Sequence, residues 1–415
     1  MAESTAILYT VTQSRLGGPG PRFYGLLAAL GVFLALGFAA YLYMEINGHH
    51  VTGMDNQVVW GIPHVFAVFL IVAASGALNV ASTASVFGKK IYKPLAPLSA
   101  LLSLALLAGG LAVLMLDLGR SDRMIVAMTH FNFKSIFAWN VFLYTGFYAI
   151  VGAYMWFMLD PQTGHLSRAA GFIAFVWRLT LTTGTGSIFG FLVAREAYDS
   201  ALLAPTFIVY SFAYGTAIFM LTLMAACRYD GRALGDAILR RLRGLLAVFV
   251  SASLYFVAVF HLTKLYLARH AGVEQFILLD GGLYTALFWI GQVGLGGVVP
   301  LAILLHPQWS KSRGALGLAA ALVVLGGLAQ MYVTIIGGQA YPLTLFPGMQ
   351  ESSSFFDGEI HPYAPSAPET LLALGGVALA FAIVAVALRV LALLPGRLDD
   401  ASLGALEHES PDTSR

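Results

Sequence analysis

Two ionisable side chains stand inside otherwise apolar stretches of the sequence, and they are the first candidates for chemistry. His64 lies early in the apolar run 58 to 87, and Asp117 ends the run 94 to 117. A polar group inside a bilayer is costly unless it faces a protein interior, so each marks a candidate site. An imidazole exchanges protons near neutral pH and can hydrogen-bond a carbonyl. With a carboxylate close by, it could take two protons from a small ligand.

Arg120 follows Asp117 at a spacing of three, which on a helix places both side chains on one face. The spacing predicts that the two pair at the edge of the hydrocarbon, with Arg120 setting the charge of Asp117. The alternative is that they form an end-cap pair that only stabilises the helix.

A second group of polar residues lies deeper in the apolar runs. Ser75, Asn79 and Ser82 share one helical stripe with His64, and Arg178 and Thr183 lie in the unusually polar run 170 to 193. These five could carry protons across the membrane. The alternatives are interhelical hydrogen bonds and, for Arg178, a side chain that extends toward the membrane surface.

His261, Lys264 and Asp280 form a third group, at the ends of two later runs. They could line a second water-filled route, or they could be ordinary helix-end residues.

The composition requires membrane helices to position these residues. Of the 415 residues, 58% are apolar and only 11% are charged, whereas a soluble domain has about 25% charged residues. The sequence predicts an all-α integral membrane protein, since ten segments are long and apolar enough to cross a bilayer. They are 23–44, 58–87, 94–117, 133–159, 170–193, 202–227, 244–264, 279–305, 314–337 and 369–389. A net charge of +2 offers no basic surface for nucleic acid.

The distribution of basic residues predicts the orientation. With cytoplasmic termini, 16 of the 23 Lys and Arg residues fall on the inner side and six on the outer side. The expected domains are a cytoplasmic tail over 1–22, a membrane domain over 23–393 and a solvated cytoplasmic tail over 394–415. The N-terminus lacks signal-peptide features, so the first helix is expected to be retained. Residues 338–368, with Glu351, Asp357 and Glu359, are expected to form a long periplasmic docking loop.

The residue inventory also bears on cofactors. The single cysteine, Cys227, cannot by itself hold an iron–sulfur cluster or a thiolate metal site. Haem is not expected either, because no predicted span carries two histidines and only His64 and His261 lie clearly inside spans.

Five motifs in fixed order resemble the polysulfide reductase membrane subunit family, also called the NrfD family. The resemblance covers roughly residues 50 to 340, with Ser121 at a position where that family commonly has proline. The motifs are WGIPHVFAVFLIVAASG (60–76), DLGRSDR (117–123), NFKSIFAWNVFLY (132–144), GTGSIFG (184–190) and AREAYDSALLAPTFI (194–208).

The resemblance implies two four-helix bundles, helices 2 to 5 and 6 to 9, flanked by one helix at each end. It implies a subunit of the bacterial inner membrane that holds no haem, metal or iron–sulfur cluster and binds quinone or quinol near the outer face. The resemblance assigns this binding to His64, Asp117 and Arg120, and Trp60 lies in the same motif as His64. The implied partners are a periplasmic ferredoxin-like iron–sulfur subunit and a molybdopterin catalytic subunit, with possible proton translocation.

Two other classes of function remain open from the sequence. A secondary transporter would also have about ten helices, but its binding site would lie near the bilayer midplane. A purely structural anchor would leave the proximity of His64 and Asp117 unexplained. The terminal substrate, the direction of electron flow, the quinone type and the oligomeric state do not follow from the sequence.

Overall fold

The computed structural model describes residues 13–400 except 19, 344–348, 350–357, 361 and 397. Over these residues the chain is helical apart from one pair of two-residue strands. The long helices are α1 (Pro21–Asn47), α2 (Ile62–Ser85), α3 (Lys90–Leu116), α4 (Ile136–Leu159), α5 (Ser167–Gly190), α6 (Leu203–Asp230), α7 (Asp236–Tyr266), α8 (Leu283–Leu305), α9 (Arg313–Ala340) and α10 (Ala367–Val390).

Nine of these helices are long and apolar enough to cross a membrane, counting over the described part of the chain. The chain is therefore a multi-pass membrane protein. Helix α5 is not among the nine, although it is 24 residues long, because its threonines and arginines lower its hydropathy. It nevertheless runs antiparallel to α4 over the same depth, since Gly171 lies against Tyr154 and Gly184 lies against Asn140.

Several helix ends differ from the predicted ones for identifiable reasons. Helix α2 begins at Ile62 rather than 58 because Pro63 occupies its first turn, where a missing N–H does no harm. Helix α7 begins at Asp236 rather than at 244. The arginines in its first turns lower the hydropathy of this segment, but arginine is a good helix former. Helices α8 and α9 include π-helical turns at Leu287–Val298 and Val333–Gly337.

The long helices pack as two rings of four. Helices α2 to α5 form the first ring and α6 to α9 the second, and α2, α5, α6 and α9 make the contacts between them. The closest approach joins α2 to α6, where a Cβ on Gly76 would overlap the carbonyl oxygen of Ser211. Helices α1 and α10 pack on each other, and α10 packs on α2 and α3, so both terminal helices lie beside the first ring.

The two ends of the described chain meet at one end of the molecule, here called the tail end. Strand β1 (Gln13–Ser14) pairs antiparallel with β2 (Leu394–Pro395). Arg232, in the turn between α6 and α7, donates to Ser14 Oγ at 2.6 Å and to the Pro395 carbonyl at 2.9 Å. The opposite end, called the cleft end, carries residues 49–61, 117–119 and 195–199.

The long connection and the C-terminal segment differ in the structure from their predicted forms. Helix α9 continues to Ala340, so the connection begins at 341 rather than 338, while Glu359 is exposed. Leu398, in the tail expected to be solvated, is buried, and Asp400 accepts from the Ala237 amide. Residues 1–12, Glu351, Asp357 and residues 401–415 lie outside the described residues, and the expectations for them stay predictions.

Candidate functional site

An open cleft lies at the cleft end, where the chain between α1 and α2 meets the end of α3. Its volume is about 410 Å³. The lining side chains include two histidines that the sequence analysis did not single out, His49 and His50. They also include three predicted site residues, Trp60, His64 and Asp117.

His64 and Asp117 come together as predicted. The Nδ1 atom of His64 lies 2.8 Å from Oδ2 of Asp117, and their side chains are 14% and 1% exposed. The angle between them is not that of a hydrogen bond, and no described residue donates to either carboxylate oxygen. A buried carboxylate without a donor is costly, so a ligand hydroxyl reaching this cleft would gain a strong acceptor.

Trp60 completes the wall of the cleft. Its ring stacks on the His64 imidazole at 6.0 Å between centroids, with 24° between the planes. Phe137 and Phe189 contact the indole at 6.2 and 5.8 Å. A planar aromatic surface beside an imidazole and a carboxylate suits a flat ring that carries oxygen atoms.

The second bundle holds the segment that carries Trp60. Gln339, which is fully buried in α9, accepts from the amides of Val59 and Trp60 at 3.0 Å each. Its own amide donates to the Trp60 carbonyl at 3.0 Å. Arg195 adds a bond from Nη2 to the Gln57 carbonyl at 2.7 Å, and burial lowers the pKa of this guanidinium.

Helix α10 holds the same segment from the other side. Glu369 Oε2 accepts from the Gly53 amide at 2.7 Å, and Oε1 accepts from the Tyr363 hydroxyl at 2.8 Å. Burial and the nearby Glu369 raise the pKa of Tyr363, so its hydroxyl stays protonated as a donor. Gly61 must be glycine here, because a Cβ would overlap the Glu369 carboxylate.

The predicted pairing of Arg120 with Asp117 is wrong. Helix α3 ends at Leu116 and Arg120 is not helical, so the three-residue spacing does not place the two side chains together. Arg120 instead contacts Asp122 through two bonds of 3.0 Å, and both side chains are exposed. The hydrogen bond to Arg120 lowers the pKa of Asp122. Arg120 does not line the cleft.

Three of the deeper polar residues form one buried network between α2 and α5. Arg178 donates through Nη1 to Asn79 Oδ1 at 2.7 Å and to the Ser75 carbonyl at 3.1 Å. Thr182 donates to Ser75 Oγ at 2.6 Å, and Asn79 donates to Thr216 of α6 at 3.0 Å. The network therefore joins both bundles.

The other two members of the predicted proton path are placed differently. Ser82 is buried nearby, and its hydroxyl has no hydrogen-bond partner among the described residues. Thr183 is on the outward face of α5 and bonds its own helix at the Leu179 carbonyl, so it is not part of the network.

The second bundle contains another imidazole–carboxylate pair, which joins His261 to a residue outside the predicted group. His261 Nδ1 lies 2.6 Å from Oε2 of Glu274. Asp280 is exposed and accepts from Gln275 at 2.7 Å. Lys264 is buried and donates to the backbone carbonyl of Glu196.

Sequence reasoning missed Gln339, Glu369 and Glu274. Glu369 has a sequence signal in the Ser366 capping box, and Gln339 stands at the end of an apolar run. Glu274 lies between two predicted spans, where the short helix Ala271–Gln275 buries it. Among the described residues, no group of three or more His, Cys, Asp or Glu side chains could hold a metal ion.

The chain is similar to proteins of two bacteria. A selenate reductase subunit from Mesobacillus selenatarsenatis is 24% identical over 77% of this chain and 83% of its own length. Protein NrfD of Escherichia coli is 23% identical over 68% of this chain and 96% of its own.

Two matches are extensive enough to assign the family. An Hdr-like menaquinol oxidoreductase integral membrane subunit from Archaeoglobus fulgidus is 31% identical over 390 residues, which is 93% of this chain and 98% of that protein. The family described as "Polysulphide reductase, NrfD" matches residues 50–342, a span that includes the cleft and both bundles. The chain therefore belongs to the NrfD family of polysulphide reductase membrane subunits.

Proposed function

We propose that this chain is the quinone- or quinol-interacting membrane subunit of a respiratory oxidoreductase complex. The observation that carries the proposal is Asp117, a buried carboxylate without a hydrogen-bond donor among the described residues, 2.8 Å from His64 in an open cleft. A quinol is a flat ring with two hydroxyls, and the cleft offers an aromatic wall, an acceptor and a proton-exchanging imidazole.

The chemistry at these two residues is a transfer of protons. When a quinol is oxidised, it loses two electrons and two protons. One hydroxyl proton goes to the His64 imidazole and the other to the Asp117 carboxylate, while the two electrons leave to a partner. In quinone reduction, the same two residues return the protons. Trp60 holds the ring against the imidazole.

The redox partner is proposed to be a ferredoxin-like iron–sulfur subunit on the periplasmic face, joined to a molybdopterin catalytic subunit. The names of the menaquinol oxidoreductase and selenate reductase relatives support a role in a complex of this kind. The first relative also favours menaquinol as the quinol. Arg120 and Asp122, both exposed beside the cleft, are available to such a partner.

The proposed topology has ten spans in a bacterial inner membrane, with both termini in the cytoplasm. The pairing of β1 with β2 supports an even number of spans, and the antiparallel course of α5 supports its being one of them. The excess of Lys and Arg at the tail end supports the orientation.

We also propose that Ser75, Asn79, Ser82 and Arg178 carry protons toward the cytoplasm during turnover. Their burial and the hydrogen bonds joining Ser75, Asn79 and Arg178 support this route. In proteoliposomes containing the whole complex, the Arg178→Leu variant should generate a smaller membrane potential per quinol oxidised. An unchanged potential at wild-type turnover contradicts the route.

The quinone site is tested by binding of a quinol analogue to the purified protein, measured by quenching of tryptophan fluorescence. Asp117→Asn removes a hydrogen bond to a charged carboxylate, whose loss weakens binding by about 1.5–3 kcal/mol, or about ten- to a hundred-fold. His64→Ala removes a hydrogen bond to a neutral imidazole, whose loss weakens binding by about 0.5–1.5 kcal/mol, or about two- to ten-fold.

Asp122→Asn is the matched control, because it removes an exposed carboxylate five residues away that does not line the cleft. It should bind as tightly as the wild type. Equal binding by all variants would place the quinone elsewhere. No binding by the wild type, with its iron–sulfur partner present, would favour a structural anchor or a transporter.

A further inference from the structure

A buried cavity in the second bundle is separate from the cleft. It lies between α6, α7, α8 and α9, and its volume is about 50 Å³. Its polar lining side chains are Thr206, Tyr210, His261, Glu274, Gln292 and Thr334.

The imidazole and carboxylate in this cavity are fixed by packing. Glu274 is 3% exposed and His261 is 15% exposed, with 2.6 Å between Oε2 and Nδ1. The imidazole meets Phe288 edge to face at 4.8 Å and Phe260 at 5.2 Å. An ionised carboxylate only accepts, so in the ionised form of Glu274 the His261 imidazole donates its Nδ1–H and keeps Nε2 as the atom that can bind a proton.

The size and polarity of the cavity suit water. One water molecule needs at least about 10–15 Å³, so a cavity of about 50 Å³ has room for more than one. Gln292 is 7% exposed and forms no side-chain hydrogen bond with any described residue. It also lines a neighbouring cavity of about 20 Å³ that reaches Tyr214 and Gln330, which bond each other.

Charged groups from several elements face this pair. Lys264 lies on the same helix as His261, and Glu196 comes from the connection between α5 and α6. His270 precedes the short helix of Glu274, and Arg269 pairs with Asp199 at the surface. Burial and the cations Lys264 and Arg269 lower the pKa of His270, so it stays neutral at pH 7.

We propose that the second bundle contains a hydrated proton-binding site in which His261 and Glu274 together take up and release one proton through the waters of the cavity. In the unprotonated state, a neutral imidazole donates to the carboxylate and the pair has a charge of −1. A proton added at Nε2 gives imidazolium and carboxylate, and the charge becomes zero.

The test is infrared difference spectroscopy of the purified full-length protein, without quinone, as pH is varied in H₂O and D₂O. The wild type should show imidazole and carboxylate bands that change together with pH and that come in addition to the bands of the cleft pair and of the other histidines. Glu274→Gln, which keeps a carbonyl acceptor for the imidazole, and His261→Gln should each remove this coupled change. Asp280→Asn, which alters an exposed carboxylate in the same connection, should retain it.

Each alternative outcome overturns the proposal. A wild-type spectrum with no pH-dependent bands beyond those of Glu274→Gln shows that the pair does not exchange a proton. Loss of the bands on adding a quinol analogue to Asp117→Asn would identify a second quinone site instead. Thermal unfolding midpoints confirm that each variant is folded. Because no quinone is present in the main experiment, its result does not depend on the function of the cleft.

Discussion

At the scale of single residues, Arg178 shows how a cation is held inside a membrane protein. Its hydrogen bonds go to uncharged oxygens, the Ser75 carbonyl and the Asn79 amide, and the rings of Phe175 and Phe212 lie 5.1 and 5.2 Å from its guanidinium carbon. A buried cation is costly unless such acceptors and aromatic faces surround it. Arg178 therefore stabilises the contact between α2 and α5 whether or not protons pass it.

The Arg178→Leu variant should be measurably less stable than the wild type. It leaves the Asn79 side-chain oxygen without a donor among the described residues, which costs about 1–3 kcal/mol for a buried acceptor left unpaired, while the Ser75 carbonyl keeps its bond from the Leu78 amide. The thermal unfolding midpoint should fall accordingly. Arg168→Leu, on an exposed position of the same helix, should change stability by no more than about 0.5 kcal/mol. Equal midpoints for the two variants would show that the network is not structural.

At the scale of elements, the connection 48–61 is positioned by two helices from the C-terminal part of the sequence. Gln339 at the end of α9 binds the backbone of Val59 and Trp60, and Glu369 at the start of α10 binds the amide of Gly53. The backbone of this connection is not part of a helix or a sheet near Trp60. The buried side chains of Gln339 and Glu369 therefore form hydrogen bonds with its backbone groups. The geometry of the cleft thus depends on residues far away in the chain.

Gln339→Leu should weaken quinol-analogue binding by about five- to 150-fold while helical content stays unchanged, if the cleft is the quinone site. The reason is that Val59 and Trp60 lose an acceptor, and each lost bond contributes about 0.5–1.5 kcal/mol. Fluorescence quenching and circular dichroism measure the two quantities. The exposed Gln308→Leu is the matched control. Wild-type affinity in Gln339→Leu would mean that α9 does not position Trp60.

At the scale of the whole molecule, the two ends have different roles. The tail end joins β1, β2 and the Arg232 turn, so both ends of the described chain are fixed on one side. The cleft end collects the ionisable groups of both bundles, His64 with Asp117 and His261 with Glu274. This separation is expected of a subunit that docks a redox partner on one face only.

The proposed orientation predicts which positions an impermeant maleimide can reach in intact cells. The single native cysteine is buried, so Cys227→Ser provides the background. Asp122→Cys at the cleft end should be labelled from outside, and Arg240→Cys at the tail end should be labelled only after permeabilisation. Both positions are exposed on the protein. The reverse pattern would place the cleft on the cytoplasmic side.

The helices and the class of protein could be predicted from the amino-acid sequence alone. Apolar runs of about 20 residues are explained only by crossing a bilayer, and this signal is local, so it can be read without the fold. The contact of His64 with Asp117 was also predictable, because both stand at the same end of adjacent antiparallel helices. The inward placement of Arg178 was predictable from the cost of exposing it to lipid.

The partners of most polar groups, in contrast, depend on how the helices pack in three dimensions. Arg120 does not pair with Asp117 because the helix ends between them. His261 contacts Glu274 because the connection after α7 forms a short helix that buries this carboxylate. Gln339 reaches Trp60 only through the packing of α9 against the first bundle. The physical reason is that hydropathy follows each residue's own transfer free energy, whereas a hydrogen bond or ion pair depends on distances between segments far apart in the chain.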